Sequence, residues 1–244
     1  MQFAISKRKL KAGEIMFSKT KKVLILGLLL IFVIICRVSD LSAAGEKHSV
    51  VIDPAHGGQD TGVKITEKVA EKNITLAIAL ALQKELAKDD NFEILLTRDS
   101  DKTISIEDRR KEISKIKPDV FLSLHINAGF SKSAAGFEIY YPGFSNSADQ
   151  KKQGKGGPKD TKNKYLNDSV RLAQIIQKKL DTLFPRKGRG LREADTPILE
   201  GMNIPAVVVE IGFASNPEER KKLLSEKNQS EIAKTLTKSI KLFF

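Results

Sequence analysis

The sequence predicts an α/β fold, a single domain built on a mostly parallel sheet with helices on both faces, and three observations carry that prediction. Short apolar runs alternate with longer helical stretches from residue 45 onward, the order expected of a largely parallel sheet. Several of those runs are apolar at every position, as strands covered on both sides must be. The chain has 244 residues, 41% of them hydrophobic and 30% charged, which suffices for a sizeable core. No internal repeat divides it and no second domain is required.

The first strand is expected at 49–53, running into the turn Pro54, Ala55, His56, Gly57, Gly58. A helix at 72–87 has apolar residues nearly all round (Ile74, Leu76, Ile78, Leu80, Leu82, Leu86) and is expected to be buried against the sheet. A strand at 92–98 and a helix at 106–115 follow, then a strand at 120–125 ending on His125, and another at 137–141. Residues 145–164 hold six Lys, three Gly and one Pro, with no Leu, Ile, Val or aromatic. Such a stretch cannot bury enough apolar area to offset its ordering entropy and is expected to be a mobile surface loop. A helix at 165–183, a strand at 206–211 and helices at 218–224 and 230–242 complete the chain.

Residues 1–44 read as an address, and residues 45–244 as the working domain. Lys19, Lys21 and Lys22 precede an uncharged apolar run of 14 residues, 23–36, shorter than the ~20 a spanning helix needs and matching a signal-peptide core. Ser42 and Ala44 supply small residues for a cut before Gly45; retention of the segment as a membrane anchor is the alternative. Met16 would serve equally as a start. Cys36 is the sole cysteine, so residues 45–244 contain no thiol and no disulfide, which fits export. The formal charge is +12, half of it in residues 1–44. The remaining excess suits an anionic surface. Nucleic acid is not favoured as a partner: aromatics are 6%, Trp is absent, and no basic stripe interleaves with stacking residues. A monomer in the periplasm or cell envelope is expected.

The chain has three histidines, His48, His56 and His125. Ligands of open α/β sheets gather beyond the carboxyl ends of the strands. His56 follows the first strand, His125 closes the run 120–124, and Glu210 closes the run 206–209, so the three share one edge. Glu71 sits at the start of the first helix, where a carboxylate is stabilised by free N–H groups, and reaches the same cleft. Two His and one Glu are a standard set for catalytic zinc with a position open for water, leaving the other Glu as general base. Spacing does not decide which Glu binds. No HExxH, nucleophile elbow or P-loop is present.

Residues 50–62 (VVIDPAHGGQDTG), 71–73 (EKN), 96–99 (LTRD), 121–128 (FLSLHINA), 136–141 (GFEIYY) and 208–216 (VVEIGFASN) come in the order and spacing of another set. The chain resembles, over about 50–242, the zinc-dependent N-acetylmuramoyl-L-alanine amidases with a two-histidine, one-glutamate site. The resemblance implies a twisted sheet flanked by helices, and hydrolysis of the amide between the lactyl group of muramic acid and L-alanine in peptidoglycan. It puts one Zn2+ on His56, Glu71 and His125 and makes Glu210 the catalytic carboxylate. Asn127 follows the second His as in the family and is expected to line the substrate cleft; a turn-former is the alternative. Arg98 and Arg109 match family positions and are expected to fix the surrounding loops through ion pairs. Family members usually have Gly where Ala55 stands, so Ala would be strained if that position needs φ > 0. The insertion after Tyr141 is too polar and Gly-broken to form the plug helix some envelope amidases carry, so an open site is expected. A silent wall-binding protein and a zinc peptidase acting within the stem peptide are the competing functions. The sequence names no activator.

Overall fold

The computed structural model describes residues 46–143, 159–184 and 188–244. The expected leader at 1–44, and most of the Lys- and Gly-rich stretch, lie outside the described residues. The unit Lys47–Phe244 contains the strands β1 (His48–Pro54), β2 (Phe92–Leu96), β3 (Val120–Asn127), β4 (Phe137–Tyr141), β5 (Gly188–Glu193) and β6 (Ala206–Phe213). Its helices are α1 (Glu71–Leu86), α2 (Ile106–Ile116), α3 (Lys159–Leu180), α4 (Pro217–Leu224) and α5 (Glu226–Phe243). Among the described residues no helix is long and apolar enough to cross a membrane.

The strands form one sheet in the order β2-β1-β3-β6-β4-β5. β1 pairs in parallel with β2 and β3, β3 with β6, and β4 with β5. β4 runs antiparallel to β6, because the β3–β4 connection contains no helix to carry the chain back. The mostly parallel sheet with helices on both faces is therefore as expected. Alternation along the strands splits the core in two. Val50, Ile52, Val120, Leu122, Leu124, Val207 and Val209 pack with residues of α1, α3 and α5 in the larger cluster. Val51, Phe121 and Val208 point the other way, onto Ile113 of α2 and onto Ile198 and Leu199. That second cluster stops short of the carboxyl ends of the strands, and polar side chains take over there.

Local chemistry sets the helix ends. Ser105 caps α2 by accepting from the Asp108 N–H, with Glu107 and Asp108 in the first turn, and Lys117 closes it in the left-handed region at φ 51°. Asn216 caps α4 ahead of Pro217. Three expectations need correction. α3 begins at Lys159, so residues 159–164 are helical and not loop, consistent with the good helix propensity of lysine. α1 is buried along Ile74, Ile78, Leu82 and Leu86, but Leu80 is 40% exposed, so the helix is not covered all round. β5 has no counterpart among the expected strands.

Candidate metal centre

His56, Glu71 and His125 converge. His56 stands two residues beyond β1, Glu71 is the first residue of α1, and His125 lies within β3. His56 Nε2 is 3.2 Å and His125 Nδ1 3.1 Å from Glu71 Oε1. One ligand atom from each of the three lies within 4.8 Å of the others. The imidazoles meet edge-on, with centroids 5.2 Å apart, and keep 22% and 26% side-chain exposure.

The turn that delivers His56 is unusual. His56 itself adopts φ 63°, a region in which non-glycine residues are uncommon. Ala55 is not among the residues with positive φ, so it carries no such strain, and its N–H is bonded to Leu124 O. Two buried arginines hold the turn. Arg109 pairs with Asp53 at 2.5 Å and donates to Pro54 O and His56 O. Asp53 also accepts from Thr97 and Ser123. Burial would raise the Asp53 pKa, but the Arg109 charge and these hydrogen bonds prevail and lower it. Arg98 donates to the carbonyls of Pro54, Ala55, Ser100 and Lys72. The expected ion pair thus exists at Arg109, whereas Arg98, among the described residues, fixes the loop through carbonyl oxygens.

Glu71 is 2% exposed. Its Oε2 accepts from Val63 N at 2.9 Å and its Oε1 from Ile126 N at 2.9 Å. Desolvation opposes ionisation, yet hydrogen bonds from His125, His56 and Val63 pull its pKa down to about 2. Desolvation likewise opposes protonation of His56, but Glu71 and Asp60 override it and raise its pKa to about 9. The centre therefore attracts positive charge. Asp60 Oδ2 lies 2.8 Å from His56 Nδ1, the outer carboxylate that fixes an imidazole so that its other nitrogen faces an ion. Two nitrogens and one carboxylate oxygen are the donor chemistry of a catalytic divalent metal, and the three residues fit one. Gly62, at φ 62°, closes the pocket: a Cβ there would lie 2.6 Å from both Glu71 Oε2 and His56 Cδ2.

Glu210 sits inside β6, opposite His125 in β3 and Glu138 in β4. Its Oε2 is buried and, among the described residues, bonded to nothing. Burial, reinforced by the charges of Glu71 and Glu138 against those of the two imidazoles, raises its pKa to about 7. Sequence had His125 and Glu210 closing their strands, but both strands run on, to Asn127 and Phe213. Asn127 is strand and not turn; its Nδ2 donates to Glu138 Oε2 at 2.9 Å. Sequence reasoning gave no role to Asp60 or Glu138, although both lie within the matched motifs. His48, the third histidine, stacks on Phe244 away from these residues, with centroids 4.0 Å apart.

The α/β sheet thus carries at its carboxyl edge a His-Glu-His group able to hold a divalent metal, beside a glutamate with a buried oxygen unbonded among the described residues. The chain belongs to the N-acetylmuramoyl-L-alanine amidase family, whose model matches residues 50–242. It is 27% identical over 230 residues to N-acetylmuramoyl-L-alanine amidase AmiC of Escherichia coli O6:H1, covering 82% of this chain and 54% of that protein. The chain thus spans about half the length of that relative. The crystal structure of N-acetylmuramoyl-L-alanine amidase from Clostridium difficile 630 superposes with a TM-score of 0.68 at 29% identity, over 82% of this chain and 97% of that one. The CwlD amidase of Clostridioides difficile, solved in complex with the GerS lipoprotein, gives 0.64 at 27% identity, over 81% and 98%.

Proposed function

We propose that this chain is a zinc-dependent hydrolase of peptidoglycan, cutting the amide between the lactyl group of N-acetylmuramic acid and L-alanine of the stem peptide. The observation that carries the reading is the convergence of His56, Glu71 and His125 beside Glu210, whose buried Oε2 is unbonded among the described residues. Family membership supports the same substrate. His56, Glu71 and His125 would hold the metal, with Asp60 orienting His56. When bound, zinc acts as a Lewis acid and lowers the pKa of water to about 7.

The residues of the chain do the rest. Glu210, raised to about 7 by burial, takes a proton from the attacking water and returns it to the leaving amine. A base whose pKa lies near neutrality serves both steps. Arg109 and Arg98 keep the His56 turn from relaxing. Asn127 borders the cleft beside Glu138 and positions the substrate.

Residues 1–44 direct the domain out of the cytoplasm, as a cleaved signal or a retained anchor, and the exported domain acts as a monomer at an open site in the envelope. Incubating the full-length chain with peptidoglycan and zinc and identifying the new ends tests the reaction. Free stem peptides beginning with L-alanine are expected. Shortened stems would indicate a peptidase, and no release would indicate a wall-binding protein; either outcome overturns the amidase reading.

A further inference from the structure

Arg189 and Arg192 stand three residues apart on β5, and in a regular strand such residues face opposite sides of the sheet. Here both reach one carboxylate: Arg189 Nε is 3.2 Å and Arg192 Nη2 3.4 Å from Glu138 Oε1. The reason lies between them. The β4–β5 register slips between Phe137 and Ile139, and Gly190 takes φ 93°, a conformation open to glycine and poorly accessible to other residues. A Cβ on Gly190 would meet nothing within 4 Å, so glycine is required there for backbone shape and not for room. The irregularity brings both guanidiniums to the face that carries Glu210.

Glu138 is 5% exposed and fully occupied. Its Oε2 accepts from Asn127 Nδ2 at 2.9 Å and from Tyr140 Oη at 2.7 Å. Burial and the adjacent Glu138 raise the Tyr140 pKa to about 12, so its hydroxyl stays a donor. Arg189 also lies over the Phe213 ring, 5.2 Å from its centroid. One buried carboxylate thus anchors two guanidiniums whose side chains remain 44% and 48% exposed. Each is a rigid five-donor fork matched to carboxylate geometry. Among the described residues Glu138 is the one carboxylate they pair with, leaving most of those donors for another acceptor. β4 lies between β5 and β6, and Glu138 is the register partner of Glu210.

We propose that Arg189 and Arg192 form a subsite for a carboxylate of the stem peptide, one strand away from Glu210. The inference rests on the amidase reading. N-acetylated sugars carry no charge, whereas the peptide carries carboxylates, so the subsite lays the peptide half of the substrate over β4 and β5. The glycan then extends to the other side of the histidines.

Calorimetric titration of the full-length chain with L-alanyl-D-glutamate and with its diamide tests this, together with hydrolysis of the corresponding muramoyl peptides. The carboxylate form is expected to bind about 10- to 100-fold more tightly. That preference should vanish in Arg189→Met with Arg192→Met, and KM for the acidic substrate should rise to that of the amide. Arg192→Lys keeps the charge but loses the fork and should fall between. Equal binding of the two peptides by the unaltered chain, or a preference that survives the double substitution, would overturn the subsite. Preferential binding without cleavage of either muramoyl peptide would instead overturn the amidase reading, and leave the subsite standing.

Discussion

Along β3, Val120, Leu122, Leu124 and Ile126 all enter the large core shared with α1, α3 and α5. Their neighbours Phe121, Ser123, His125 and Asn127 turn to the opposite face, where only Phe121 finds an apolar cluster. One strand thus holds the fold together on one side and presents chemistry on the other. β6 repeats the division, with Val207, Val209 and Ile211 in the large core and Glu210 opposite. The two faces also treat charge differently. The large core is apolar, whereas the carboxyl edge holds two glutamates, Glu71 buried and Glu210 half-buried, with unequal partners. Glu71 is fully hydrogen-bonded and its pKa drawn down to about 2, while Glu210 has an oxygen unbonded among the described residues and its pKa rises to about 7. The difference teaches that burial alone does not set a role for a carboxylate; the donors around it do.

The sharpest way to test that division is Glu210→Gln. Turnover should fall about 100- to 10,000-fold, while metal content and melting temperature stay near those of the unaltered chain. A rate within a factor of a few of the original would remove Glu210 from the chemistry. His125→Ala should differ in kind, losing metal as well as activity when zinc is measured by elemental analysis.

The buried Asp53–Arg109 pair breaks the comparison differently, because it supports the site by stabilising the turn. Arg109→Met should cost about 3–5 kcal/mol in urea unfolding at neutral pH. The Asp53 pKa is lowered in the folded chain, so its contribution is present above the unfolded value near 4 and disappears as pH falls through the lower folded value. The stability gap between the two chains should therefore close in acid; a gap that is constant down to pH 2 would dismiss the ion pair as its source.

Leu122→Ala acts on the other face and should cost about 2–5 kcal/mol through the cavity it leaves, with the folded fraction still binding zinc. Loss of zinc at full foldedness would show that the faces are not separable. The smallest effect belongs to Ser105→Ala, which removes the cap of α2 and should cost about 1 kcal/mol, read as a small drop in melting temperature with no change in KM.

Much of this architecture is legible in the sequence because the elements that build it are strongly apolar. The runs 120–124 and 206–209 leave few alternatives to buried strands. β5 is illegible for the converse reason: its six residues, GRGLRE, contain one apolar side chain, and what makes it a strand is pairing with β4 and the anchoring of its arginines on Glu138. The convergence of His56, Glu71 and His125 could be read because each follows an apolar run or opens a helix. Glu138 could not, since its partners Asn127, Arg189 and Arg192 lie on other strands, and Asp60, though only four residues from His56, meets it through the left-handed turn at His56. The choice between Glu71 and Glu210 likewise depends on which backbone amides lie within reach, a tertiary fact.

The crowding at Gly62 divides the molecule for anyone hoping to redirect its substrate choice. A single methyl group at that position would collide with Glu71 and His56, so that position offers no latitude for redesign. β5, by contrast, is the outermost strand of the sheet, and its half-exposed arginines can vary as long as buried Glu138 keeps a cationic partner. Variation in what is recognised should accumulate along that border, while the loop after β1 stays fixed.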